Sequence, residues 1–463
     1  MFILRLFVSA LFVFLYAGNT AAQSSLNIDL LAHWNQDSLT TNSSKVRYND
    51  CYGFVWQGKE YAVGGSTEGT HVFELSPDNT FIPKGFVKGR YAHSTVAHRD
   101  YAVYQNYLYA VCDEGISSLQ IIDLSFLPDS IHLAHEDSLL FGRVHNIFID
   151  TLQARFYSCI HRSTSSTGTI EAPMKVFSLA DPLHLTELWS GPDDIPEVHD
   201  VYVRNGKAIL NCGFDGLRVY NFGSDPANPA YLDSKAVYGE QGYNHQGWLS
   251  PSGTTYVFAD ETNGKRVKKC SFNGSIVTIQ NYFGTNYGNG SIPHNIMCTD
   301  TFAFVAYYNE GFRVFDLRYQ VPLEIAHYDT YPDEHPFKMN GNWGLYTLFP
   351  SKRILVSDRQ YGLFLLGFDQ QVFANRTDDE AFIVYPNPMT EAEPSIVRLP
   401  VDIHEFSWKL YDHAGRLTDN GVIYESNYFT LDNHPAAGMY RLRITYTDYL
   451  GNAVDEDLKV VVL

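Results

Sequence analysis

Apolar and polar residues alternate along most of this chain with a period of two, the spacing of a strand that buries one face. The runs YLYAVC, ARFYSC, KAILNC, FAFVAY and RILVSD are short and rich in β-branched and aromatic residues. Polar loops follow them, most containing glycine: Asp113-Glu114-Gly115, Asp215-Gly216, Asn309-Glu310-Gly311 and Asp358 to Gly362, with Asp260-Glu261 in the corresponding place. Such loops are turn signals between strands. The pattern predicts an all-β chain.

The strands recur in units. Each unit opens on a polar pair, often His followed by Asn, Asp or Gln. The pairs are Asn49-Asp50, Arg99-Asp100, His145-Asn146, His199-Asp200, His245-Gln246, His294-Asn295 and Asn342-Trp343, at steps of 50, 46, 54, 46, 49 and 48 residues. A first strand follows the pair (HNIFID, HDVYVR, HNIMCT), then a second, a polar loop, a third (LQIIDL, MKVFSL, GLRVYNF, GFRVFDL, GLFLLGF) and a looser fourth. Four short strands per unit of this length predict a β-propeller of seven blades. The seventh unit stops after its third strand, near Phe368. Ile28 to Ser38 resembles Leu323 to Pro332, the fourth strand of unit six. The N-terminal strand is therefore expected to complete the last blade, which removes a free sheet edge.

The blocks GKEYAVGGSTEGTHVFEL, RDYAVYQNYLYAVCDEGISSLQIIDLS, HDVYV, NHQGWLS, FADET, PHNIM and GFRVFDL, in this order between Asn27 and Asp369, resemble the LVIVD-repeat propellers called choice-of-anchor B proteins. One departure is Cys51-Tyr52, where that family tends to open with Trp-Gly. The resemblance implies a propeller at the cell surface; it implies little about activity.

The two ends carry other signals. Arg5, the apolar run Leu6 to Tyr16 and the small residues Thr20-Ala21-Ala22 read as a signal peptide over residues 1–22, cut before Gln23. The run is too short to span a bilayer, which takes about 20 residues, and no later run is apolar enough; no transmembrane anchor is expected in the mature chain. The propeller then covers 23–370, a polar acidic linker 371–381, and a last domain 382–463. Its alternating strands and turns predict a small, immunoglobulin-like antiparallel β-sandwich. Within it VYPNP, FSWKLYDHAGRL and GMYRLRITY, close to the chain terminus, resemble the C-terminal sorting domain of type IX secretion cargo. That resemblance implies the type IX machinery as a partner and a secreted or outer-surface location in a Gram-negative bacterium.

A formal charge of −19 argues against a nucleic-acid partner, which needs a basic face. The six cysteines, Cys51, Cys112, Cys159, Cys212, Cys270 and Cys298, fit no zinc spacing. They sit in strand-like runs and read as buried thiols, although an oxidising compartment permits one bridge among the equivalent Cys112, Cys159 and Cys212.

Propeller geometry places first-strand starts and second-strand ends on one face. His145, His199, His245 and His294 should gather there with Asp100, Asp113, Glu114, Asp260, Glu261 and Glu310. A residue repeated once per blade reads first as a structural joint. The second reading is a ligand mouth built from His145, His199, His245, His294, Asp100, Asp260 and Glu261. A divalent metal would fall to His245 and His294 with Asp260 or Glu261, because imidazole and carboxylate suit such ions. Trp248 and Trp343 read as packing residues. No nucleophile elbow, phosphate loop or His-Glu-x-x-His is present. The first functional reading is a binding protein for an extracellular protein or glycan. The alternative is a metal-dependent hydrolase or lactonase-like enzyme at the same mouth.

Overall fold

The computed structural model describes the chain outside residues 1–24, 166–167, 286–289, 320, 333–338, 370–382, 386, 391–394, 399–404, 425–427, 432–435 and 448–452. The expected signal peptide (1–22) and linker (371–381) lie outside the described residues. Those described contain no helix, so none that is long and apolar enough to cross a membrane; the chain is all-β.

Antiparallel sheets of the four-stranded, propeller-blade kind fill the chain up to Gly367. Seven such sheets have as their first strands Tyr48–Trp56, Arg99–Tyr104, Asn146–Asp150, Asp200–Arg204, Asn244–Leu249, Ile296–Cys298 and Asn342–Tyr346. Each first strand neighbours the next, and the last neighbours the first. The seventh sheet takes its outer strand from the other end of the chain. Asp29–Trp34 pairs antiparallel with Gly362–Gly367, Trp34 opposite Leu363. Ser25–Leu26 adds a fifth strand to the sixth sheet, against His327 and Tyr328.

One irregularity recurs. The pairing of third with fourth strand shifts register in all seven sheets, at Phe73, Leu133, Phe177, Tyr220, Cys270, Phe315 and, in the sheet closed by the N-terminal strand, between Leu30 and Ala32. A bulge bends and further twists the outer strand, as a stack of twisted sheets requires.

Apolar clusters join each sheet to the next. Tyr61 and Val63 pack with Tyr101, Leu108 and Ile122 between the first two sheets. Cys51, Ala62 and Phe73 pack with Leu355, Leu363 and Leu365 between the seventh and the first. Burial of these faces from water is the dominant favourable term. All six cysteines are buried and unpaired, with Cys159 and Cys212 in one cluster. Burial pushes their thiols up, as for Cys159 and Cys51, so they stay protonated and behave as small apolar groups.

The last segment forms two further sheets. One is Ile383–Tyr385, Ser395–Arg398 and Tyr428–Leu431; the other orders Leu417–Tyr424, Glu405–Tyr411, Gly438–Thr447 and Ala453–Val462. They share a cluster around Val397, Phe406, Phe429, Leu442 and Val460. Ile396, next to Val397, instead joins the cluster of Leu26, Phe302 and Phe368.

Candidate functional site

The first strands open irregularly. Asn146–Asp150 and Asp200–Arg204 begin one residue after a histidine. Register shifts interrupt the starts of Asn244–Leu249, Asn342–Tyr346 and Tyr48–Trp56. An unpaired or bulged start releases a side chain from strict alternation. Both members of the polar pair can then serve the channel, at successive depths.

Four first members, His145, His199, His245 and His294, form a closed circle of six aromatic rings with His98 and Trp343. Ring centroids lie 4.9 Å apart for His98 and His145, 4.4 Å for His145 and His199, and 4.1 Å for His199 and His245. The circle continues at 4.3 Å from His245 to His294 and 4.1 Å from His294 to Trp343, and Trp343 returns to His98 at 5.3 Å. Imidazolium cations so close would repel one another. Burial, reinforced by neighbouring imidazoles, holds His199, His245 and His294 well below the ordinary histidine range, so all three are neutral at pH 7.

Hydrogen bonds anchor the rings from outside. His98 Nδ1 meets Glu114 Oε1 at 2.5 Å, and His145 Nδ1 meets Asp113 Oδ2 at 3.0 Å, with Arg162 on the other Asp113 oxygen. His199 Nδ1 reaches the His245 carbonyl at 3.0 Å, and His294 Nδ1 reaches the Trp343 carbonyl at 2.7 Å. His245 leans on His294 backbone more loosely, and its Nδ1 has no acceptor in good geometry. A neutral imidazole that donates through Nδ1 carries its lone pair on Nε2. The His294 Nε2 is buried and has no partner. His294 is thus a joint on one ring nitrogen and an unspent ligand on the other.

Glu261 faces these lone pairs. Its Oε2 lies 3.8 Å from His245 Nε2, and its Oε1 accepts the Tyr308 hydroxyl. One ligand atom each from His245, Glu261 and His294 lie within 4.8 Å of one another. Burial raises the Glu261 carboxyl, which the Tyr308 bond opposes. The Arg359 guanidinium stacks 4.3 Å over Trp343 at the same end. Asp260 has a different place: it is fully buried, and its oxygens are taken by Lys268 Nζ (2.8 Å), Tyr238 Oη (2.8 Å) and Gly242 N (2.7 Å).

Asp100 belongs to a second circle one layer deeper, formed by second members of the pairs: Asp50, Asp100, Asn146, Asp200, Gln246 and Asn295. This layer also joins sheets. Asp100 Oδ2 accepts Ile147 N–H at 2.6 Å, and Gln246 Oε1 accepts Ile296 N–H at 2.7 Å, each from the next sheet. The seventh sheet supplies Gly344, where a Cβ would stand 1.7 Å from Asp50 Oδ1. Asp50's approach therefore excludes any larger residue there.

Sequence reasoning placed His145, His199, His245 and His294 together, and the structure brings them into one row. It passed over His98, which stands one residue ahead of the repeat pair because Arg99 is committed to the carbonyls of Ser66 and Tyr91. Trp343, read as packing, closes the circle. Asp50 and Asp200 stood in the repeat pairs and were read only as markers of the unit. Compared with known proteins, the chain matches no family model and no curated protein.

Proposed function

We propose that this chain is an exported, seven-bladed β-propeller of the LVIVD-repeat kind, followed by an immunoglobulin-like type IX sorting domain, and that it acts as a binding protein at its histidine-ringed channel mouth. The single observation that carries the site is the closed circle His98, His145, His199, His245, His294 and Trp343, with His294 Nε2 buried and unpartnered. A buried acceptor without a partner costs free energy, and a divalent transition metal would satisfy it. His245, His294 and Glu261 would hold the ion, while Tyr308 and the Trp343 carbonyl orient the ligands from behind. In a tetrahedral zinc site with bonds of about 2.0–2.1 Å, ligand atoms stand roughly 3.3 Å apart, so small side-chain rotations close the set. Seven sheets with cyclic neighbours support the blade count, and the two C-terminal sheets around one core support the sandwich.

Three protein ligands leave a coordination position open, and this favours a second reading, a metal-dependent hydrolase. Glu261 would there serve as a ligand steadied by Tyr308, and a bound ion would supply the acidity of a water at the open position.

The test is zinc loading of the full chain, dialysis and elemental analysis. Native protein should retain one zinc per chain, and His294→Ala and Glu261→Gln should retain little. Native protein with no zinc above the dialysis buffer contradicts the site. Zinc-dependent ester or lactone hydrolysis lost in Glu261→Gln would select the second reading over binding alone.

A further inference from the structure

Beyond the acidic layer, toward the far ends of the first strands, lies a cavity of about 260 Å³. None of the six mouth rings lines it. Its walls are aromatic: Phe148 and Tyr202 stand 5.3 Å apart, Tyr202 and Trp248 5.0 Å, and Tyr52 and Tyr346 5.3 Å. Thr151 and the exposed Leu348 rim its outer end. Its floor is the second circle, with three carboxyl groups in one layer.

No lysine, arginine or histidine is among the described residues that line the cavity. Arg204, which reaches the Tyr202 hydroxyl, is turned to the carbonyls of Leu249 and Ser250. Burial and mutual repulsion raise Asp50 and Asp200 well above the carboxylate range, and burial raises Asp100 to about 7. Several polar groups remain unspent. Asn295 Oδ1, which lines the cavity, is buried without a partner. Asp200 accepts a single bond, from Val201 N–H, which leaves its other oxygen for a guest.

We propose that this aromatic cup binds a small organic cation, an ammonium-bearing ligand whose charge is met by Asp50, Asp100 and Asp200 and whose carbon skeleton lies against Phe148, Tyr202 and Trp248. Aromatic faces attract cations, and a bare hydrated metal ion gains little from them. The volume sits just below the ~300–1,000 Å³ of drug-sized sites, so the ligand is small. A neutral sugar could stack on the same walls but leaves the carboxyl layer without a counter-charge. This site lies apart from the proposed metal ligands and stands independently of that reading.

The test is calorimetric titration of the full chain near pH 8 with tetramethylammonium chloride and with butylammonium chloride. Sodium chloride at equal ionic strength and methyl glucoside serve as comparators. Saturable binding of at least one ammonium, one per chain, is expected, with Asp200→Asn weakening it about tenfold or more. Phe148→Leu keeps the wall apolar but removes a π face and should weaken it about fivefold. His294→Ala, which removes the metal set, should leave it intact, so the two sites fail separately. Absence of saturable heat with both ammonium salts on the native chain overturns the proposal whatever the variants do. So does binding of the glucoside in their place, or ammonium binding unchanged in a folded Asp200→Asn.

Discussion

At the scale of single residues, the channel stacks two layers with opposite responses to pH. Histidines of the mouth have depressed values, so their contribution to stability is present above the unfolded value and lost as pH falls below about 6.5. The buried aspartates have raised values. Their native form prefers the proton, so stability is lost as pH rises from the unfolded value near 3.8 through the folded one, about 7 for Asp100. Asp200→Asn removes one such carboxyl while retaining an acceptor for Val201 N–H. The variant should melt higher than the native chain at pH 8, and the gap should close toward pH 4. For a chain unit of this size each 1 kcal/mol is worth about 2–4 °C. Thermal melts of both proteins across that range check it; a variant that melts lower at pH 8 contradicts the account. Sequence spacing showed the histidine row because the residue type itself repeats. It did not show the circle, because His98 is displaced by one residue and Trp343 is of another type. The depth of the aspartate layer was hidden too, since it depends on the bulged strand starts.

At the scale of elements, the N-terminal strand matters most. Its likeness to the fourth strand of unit six was readable because both share an alternating frame. The recurring register shift between Leu30 and Ala32 gives the reason the frames match. Ser25–Leu26, the added strand of the sixth sheet, was not readable, since two residues carry no periodicity. Trp34 packs against Tyr48, His71 and Phe73 across the junction of the seventh and first sheets. Trp34→Ala should therefore cost about 2–3 kcal/mol, somewhat under the full range for a buried tryptophan because Trp34 is only half-buried. Urea unfolding followed by far-UV circular dichroism measures it. A loss under about 0.5 kcal/mol, the scale of ordinary surface substitutions, contradicts a strand that locks the ring.

At the scale of the whole molecule, the seven sheets and the C-terminal pair have separate cores. Ile396 is the described C-terminal residue that joins a cluster of the sheets before it. A chain of residues 23–375 should fold as a soluble β-rich protein, with a melt slightly below that of the longer chain. In a host with the type IX machinery, it should no longer reach the surface; continued display would remove the sorting reading. The four-stranded sheets were legible because each solves the same packing problem, whereas Glu261 and the aromatic cavity wall lie at positions whose residue type changes from sheet to sheet. The central claim is that the mouth imidazoles are neutral, that His199 and His294 are anchored through Nδ1, and that His245 and His294 offer Nε2 to a metal. Nitrogen NMR of histidine-labelled full chain at pH 7, before and after zinc, tests it most directly. The account predicts neutral Nδ1–H tautomers for His199, His245 and His294, and zinc-induced shifts at the Nε2 of His245 and His294 that vanish in Glu261→Gln. Protonated or Nε2–H imidazoles at these positions, or spectra that zinc leaves unchanged, would contradict it.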